Sequence, residues 1–414
     1  MLGITNSEAT NSDYAKIYGF AINRNVSTSP NNITFTKDAA GMSYNDRCNI
    51  YNKFAEPAVA SNEDGQLAYK LDPTNVLAKK NGESVTLDGT DGEAVVLLNE
   101  MWYRSYLEGS YEHFEFAFFD PANIGITGFN NWIHKTSDTD SLPYVMLGMF
   151  KATGTSAAGL HSINTEDKPA RSMNMTAFET GFAKTGEATD SLYTGTGFGE
   201  RNLMIKMLQF LAGSTNSQGF YGQGYVSSTY DEANLAATNL GFDATSMLKS
   251  GNTASGLSGV NSGYLNNYWG NVYEFCHQAI YNLGKLKFSY LHNDHIAITS
   301  ATYANAPATW YETNETLNPL ATTAAWTYGK TGMVTDSPAC AFPATTGGST
   351  SSYFYDGLYQ PAIENATNRC VLTGGSLDRG AYAGLSCLNV TAALSDSHWT
   401  VGSRLLIRPT SLSR

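Results

Sequence analysis

Histidine, cysteine and glycine are the residues whose spacing in this chain can be set against known chemistry. His292 and His295 stand three apart around Asp294, with His277 upstream. A His-x-x-His pair holds a metal when a helix or hairpin brings a third ligand. No third ligand follows at a fitting spacing, so a polar loop is expected there. The five cysteines, Cys48, Cys276, Cys340, Cys370 and Cys387, are odd in number, far apart and form no C-x-x-C pair. Free, mostly buried thiols in a reducing compartment are expected. Gly195-Thr196-Gly197-Phe198-Gly199 is glycine-rich but follows no parallel-strand pattern, so it is not read as a phosphate loop. G-x-S-x-G, H-E-x-x-H and the P-loop pattern are absent. No catalytic residue, metal ligand or cofactor is assigned, and the chain is read as a non-enzyme.

Residues 374–408 carry a different signal. Gly375, Gly380, Gly384, Leu385, Gly402 and Arg404 have the character of framework: glycines for turns, an apolar anchor, a buried or capping guanidinium. Between them stand Leu377, Asp378, Arg379, Tyr382, Ser386, Cys387, Asn389, Thr391, Ala392, Asp396, His398 and Thr400. These share no chemistry and no 3.6- or 2-residue rhythm. The pattern is that of a scaffold presenting interchangeable side chains, so these twelve are the candidate ligand-binding residues.

The stretch resembles the variable region of proteins diversified by phage and bacterial retroelements. The family pattern is G-G-S-W-N-N-G-x-N-A-G-L/V-x-x-L-N-L, then S-N-x-N-W-N-I-G-A-R-L, and residues 374–390 and 395–405 follow it without a gap. In that family, adenines of Asn-type template codons are randomised. Asp378, Arg379, Tyr382, Thr391, Ala392, Asp396, His398 and Thr400 are all reachable from an Asn codon by changing adenines alone. Leu377 departs from the family's usual Trp. A second stretch, Tyr268-Trp269-Gly270-Asn271-Val272-Tyr273-Glu274-Phe275, resembles the W-G-N-V-W-E-W/F motif of C-type-lectin-like domains related to formylglycine-generating enzymes. There Gly270 turns a loop into a strand, Val272 and Phe275 face the core, and Glu274 is placed to accept hydrogen bonds from framework backbone or from Arg404.

The resemblance spans about residues 90–408. It implies an α+β chain with a C-type lectin fold over residues 91–414, built of short antiparallel sheets, two helices and long loops. A small β-rich accessory domain over residues 1–90 precedes it. It further implies a receptor-recognition protein of a phage tail, assembled in the bacterial cytoplasm. Its partners are a protein or glycan ligand on a host cell surface and other tail proteins, with homo-oligomerisation left open. Two alternatives stand beside this: an oxidase like the formylglycine-generating enzymes, and a purely structural virion protein. The neighbouring cysteine pair of those enzymes has no counterpart, because Cys370 and Cys387 are far apart.

Composition agrees with a binding surface. The 414 residues are 42% hydrophobic, enough for a sizeable core, but only 15% charged. Tyr 25, Phe 19 and Gly 39 point to loop-rich contact surfaces, where Tyr supplies rigid area at low entropic cost. A net charge of −12 argues against nucleic acid, which needs basic patches to neutralise phosphates. No run approaches the length of a membrane span, and residues 1–5 show no signal-peptide pattern, so no membrane insertion is expected.

The elements that must position the site follow in chain order. Short strands broken by turns fill residues 1–90. Residues 94–104 read as one core strand with residues 111–119 as its hairpin partner, and residues 144–150 as another buried strand. Asn174 is placed to cap a helix whose face is Ala177, Phe178 and Phe182. Leu203, Met204, Met207, Leu208 and Leu211 form a helical stripe over residues 200–212, closed by Gly213. Residues 286–290 and 295–299 suggest short strands, residues 300–352 a long surface insertion, and residues 369–373 the strand that delivers the variable stretch.

Overall fold

The computed structural model describes residues 15–137, 139–249, 256–289, 310–313, 323–332, 342–360 and 368–410. The expectations for His292, Asp294, His295, Cys340 and residues 295–299 lie outside these described residues. The chain is α+β, with many short strands and few helices.

A seven-stranded sheet runs through the middle. Its order is Leu192–Gly195, Leu405–Arg408, Tyr144–Gly148, Glu93–Asn99, Ala55–Ala60, Leu67–Asp72 and Asn75–Lys79. Glu93–Asn99 is apolar on both faces because both faces are covered. Ala94, Val96 and Leu98 enter one core, while Val95 and Leu97 enter a second. Ala55–Ala60 pairs with Glu93–Asn99 over six residues, and Tyr18–Asn23 pairs with Tyr111–Ala117. The expected boundary at residue 90 therefore does not separate two domains. Strands from before it hydrogen-bond to strands from after it and share one core.

The expected strand over residues 94–104 is two strands. Glu93–Asn99 stays in the seven-stranded sheet, and Trp102–Glu108 crosses to pair with Tyr111–Ala117 in a four-stranded sheet. The N-terminal region also holds helix α1 (Tyr44–Phe54), where only strands were expected. Ser43 and Asp46 form a reciprocal capping box, a start signal carried by the Ser-x-x-Asp spacing itself.

Helix α2 (Met175–Thr185) is capped by Asn174, whose side chain accepts from the Ala177 N–H. It buries Met175, Phe178, Gly181 and Phe182 on the second core. Helix α3 (Phe198–Ala212) ends at Gly213 in the left-handed conformation, φ 62°. The expected single apolar stripe is too narrow an account of α3: all of its residues are buried, Glu200, Arg201 and Lys206 included. It is enclosed on every side, so its charges must be answered by internal partners.

The third large sheet has nine strands among the described residues. Tyr273–Asn282 pairs with Arg369–Thr373 on one side and with Lys285–Phe288 on the other, and Val401–Gly402 joins it in parallel. Leu388–Asn389 and Gly357–Gln360 follow, then Ala325–Gly332 and Pro343–Thr346. Residues 300–352 are therefore not wholly a surface insertion: Tyr311–Glu312, Ala325–Gly332 and Pro343–Thr346 are strands of this sheet. No helix among the described residues is long and apolar enough to cross a membrane.

Candidate ligand-binding site

The frame beneath the C-terminal stretch is an ionic hub. Glu274 sits on strand Tyr273–Asn282 with its carboxylate fully enclosed. Lys151 Nζ lies 2.6 Å from Oε1, Arg404 Nη2 2.8 Å from Oε1, and Arg201 Nη1 3.1 Å from Oε2. The pairing of Glu274 with Arg404 is the one the sequence suggested. Arg404 also donates to the carbonyls of Gly148, Met149 and Asn266, at 3.0, 2.8 and 3.0 Å. Burial opposes ionisation of Glu274, but Arg404, Lys151 and Arg201 outweigh it and hold its carboxyl at about 2. Burial pulls the Lys151 ammonium down to about 8, against the attraction of Glu274.

From this hub the chain leaves strand Arg369–Thr373 through Gly374 and Gly375, at φ 85° and 83°. A Cβ on Gly375 would stand 2.7 Å from that of Ala383, so the loop closes on itself only with glycine there. The returning limb rests on Asp356. Its Oδ2 accepts from the Ser386 N–H at 2.8 Å and its Oδ1 from Ser217 Oγ at 3.1 Å. Burial pushes the Asp356 carboxyl up to about 8, with the Ser386 and Ser217 bonds opposing. Its native pKa thus lies above the unfolded value. The stability it contributes is complete below about pH 4 and is lost as pH rises through about 8. Asp356→Asn keeps the shape and removes this slope. Urea unfolding at pH 5 and pH 9 is expected to show the parent losing about 1–3 kcal/mol more than the variant.

Seven of the candidate residues meet at one cavity of about 390 Å³. Arg379 comes from the first limb; Asn389, Thr391 and Ala392 from the middle; Asp396, His398 and Thr400 from the last. Its floor is the top of the second core, formed by Tyr273, Phe275, Leu372 and Val401. Thr400 N–H donates to His398 Nδ1 at 3.2 Å, so the neutral ring carries its proton on Nε2, which lies 3.2 Å from the Tyr230 hydroxyl. Asn389 Oδ1 accepts from the Thr391 hydroxyl at 2.7 Å and fixes that wall. Asn389, Ala392 and Thr400 are largely buried and present only one edge to the cavity.

The other five lie elsewhere. Leu377, Ser386 and Cys387 are buried and reach no surface, contrary to the expected display. Leu377 packs with Leu235 and Val272; Cys387 enters the second core; Ser386 is held on Asp356. For Ser386 and Cys387 the reason is local: past Gly384 the limb turns inward to become strand Leu388–Asn389. Leu377 is held inward by its N–H donating to the Asn271 carbonyl. Asp378 and Tyr382 are half-buried. Asp378 pairs with Arg379 at 3.3 Å. Tyr382 stacks on Tyr328 and packs on Trp326, with ring centroids at 4.6 and 4.9 Å. The Arg379 guanidinium lies 5.4 Å over Trp326, so this aromatic group adjoins the cavity. Sequence reasoning missed Tyr230, Tyr273, Trp326 and Tyr328. Tyr273 was within reach, because it stands in the second motif; Tyr230 lies in a polar turn with no signal of its own.

Two further constellations bear on chemistry. His277 Nε2 lies 2.8 Å from Ser403 Oγ, and Nδ1 meets Glu179 Oε1. This is the order of a serine–histidine–carboxylate relay. Ser403 and His277 are each 1% exposed, so no substrate reaches the hydroxyl, and the set ties α2 to the sheets. The four described cysteines are free. Burial pushes Cys276 and Cys370 up to about 12 and Cys387 further, which leaves them protonated and weakly nucleophilic at neutral pH. Among the described residues no group of three or more His, Cys, Asp or Glu is placed to hold a metal ion.

No protein-family model matches the chain, and no curated protein matches it. Among solved structures it is similar to that of PvdO from Pseudomonas aeruginosa, at 10% identity and a TM-score of 0.32. The likeness covers 77% of this chain and 95% of that one. At that level it assigns neither fold family nor function.

Proposed function

We propose that this chain is a recognition protein without enzymatic activity. In this reading a C-type-lectin frame carries retroelement-diversified side chains at one end, on a phage tail, and presents them to a protein or glycan of a host surface. Other tail proteins are its assembly partners. The observation that supports it is the convergence of Arg379, Thr391, Asp396 and His398 on one cavity. All four stand in the unpatterned stretch between the framework glycines of residues 374–408. They come from limbs separated by the buried strand Leu388–Asn389. Glycines and the Glu274 hub hold the frame, so changes at the cavity mouth need not disturb the core. Exposed substitutions move stability by about 0.5 kcal/mol or less. Repeated display on a virion then turns modest single-site affinity into avidity.

The test is a library randomised at Asp378, Arg379, Thr391, Asp396 and His398. Most members are expected to unfold within a few degrees of the parent and to differ in adsorption to bacterial cells. Loss of the folded state in most members, or equal adsorption by all of them, removes the proposal.

A further inference from the structure

We propose that the cavity takes a single pyranose ring of a surface glycan, with Tyr230 as its stacking platform and Arg379 and Asp396 as its hydroxyl clamps. This rests on the recognition reading above and names the ligand class for the same site. The volume of about 390 Å³ lies near the lower end of small-ligand clefts, which run from about 300 to 1,000 Å³. That holds one ring, not a stretch of polypeptide.

The lining decides between a sugar and a protein side chain. A pocket for a protein anchor is apolar at its centre and excludes water. Here only Phe275, Leu372, Ala392 and Val401, of thirteen lining residues, lack a polar side-chain atom. A pyranose offers hydroxyls around its edge, each both donor and acceptor, and C–H groups on its faces. The cavity holds spare capacity of both kinds. Arg379 spends Nε on Ser376 Oγ and Nη2 on Asp378, which leaves Nη1 without an acceptor among the described residues. Asp396 accepts the Ala393 N–H on Oδ2 and has Oδ1 free among them. A guanidinium edge and a carboxylate oxygen suit neighbouring hydroxyls. The Tyr273 hydroxyl, buried at the floor, makes no hydrogen bond of good geometry, although Asn389 lies near it. Arg379 and Asp396 are opposite in sign, so the clamp suits an uncharged ring despite the chain's net −12.

Tyr230 supplies the apolar face. It is 52% exposed at the cavity wall, yet its ring is fixed by His398 at an interplanar angle of 17° and by Trp399 at 4.9 Å. A ring held this way loses little freedom when a ligand stacks on it. Tyr230 lies outside the variable stretch, so its ring is present in every variant while Arg379 and Asp396 select the sugar.

The probe is a panel of methyl pyranosides covering hexoses, N-acetylhexosamines and deoxyhexoses. It is titrated into the full chain and followed by saturation-transfer NMR and by tryptophan fluorescence. N-acetyl tyrosine amide and N-acetyl arginine amide stand in for protein anchors. At least one glycoside is expected to saturate with an affinity on the order of millimolar, as befits so small a ligand. Tyr230→Ala and Asp396→Ala are each expected to weaken it about tenfold or more, with the thermal midpoint unchanged. Absence of binding by every glycoside, preference for the amides, or parental affinity in both variants overturns the sugar assignment. Adsorption of the same variants to bacterial cells separates the two claims. If adsorption falls while no glycoside binds, the recognition reading survives and the sugar does not; if adsorption is unchanged, both fall.

Discussion

Glu274→Ala is expected to lower the free energy of unfolding by about 3–5 kcal/mol. The carboxylate is the shared counter-ion of Lys151, Arg201 and Arg404, all of which are buried. Removing it leaves three enclosed cations facing one another. Their remaining hydrogen bonds, to the carbonyls of Gly148, Met149, Asn266 and Tyr268, do not neutralise them. Only Lys151 can answer by giving up its proton, since its ammonium already lies near 8 with Glu274 present. Without Glu274 that value falls further. A lysine depressed in the native state destabilises while it stays charged, and the penalty is relieved as pH rises through its native pKa. The variant should therefore recover part of its loss between pH 6 and pH 8, where the parent does not. Urea unfolding across that range measures both. A loss below about 1 kcal/mol would show that the hub does not hold the frame.

The second large effect divides the variable stretch itself. Leu377→Ala should cost about 2–5 kcal/mol, because the side chain is fully buried against Leu235 and Val272. Asp396→Ala and Thr391→Ala, in the same stretch, should each stay within about 0.5 kcal/mol. Asp396 is exposed, and Thr391 only half covered. Residue type alone does not forecast this split, since all three positions belong to one unpatterned run. Equal costs at Leu377 and Asp396 would mean that Leu377 is not packed against Leu235 and Val272.

The comparison of sequence with structure turns on which signals are local. Caps and closing glycines are local, and Asn174, Gly213 and the strand Arg369–Thr373 stand where the sequence put them. Motif chemistry was legible too: the Glu that follows the Trp-Gly-Asn turn and the Arg that follows Gly402 need partners if buried, and they are each other's. The break between Glu93–Asn99 and Trp102–Glu108 was not legible, because the polar pair Asn99-Glu100 that marks it also fits the solvent face of one longer alternating strand. The charges of α3 hid its complete burial for a similar reason: their partners are far away in the sequence, such as Glu274 for Arg201 and Arg408 for Glu200.

What the sequence determined by itself was which positions are free of periodic constraint and which glycines bend the chain between them, since both are properties of neighbouring residues. Which free positions share a cavity was decided only by the tertiary structure. Arg379 and His398 are brought to one opening by a limb that dives under Asp356 and returns, and that path depends on contacts with Ser217 and Asp356 from remote parts of the chain. The same path buries Leu377, Ser386 and Cys387. Burial is set by what packs from the other side, and that partner is never written at the position itself.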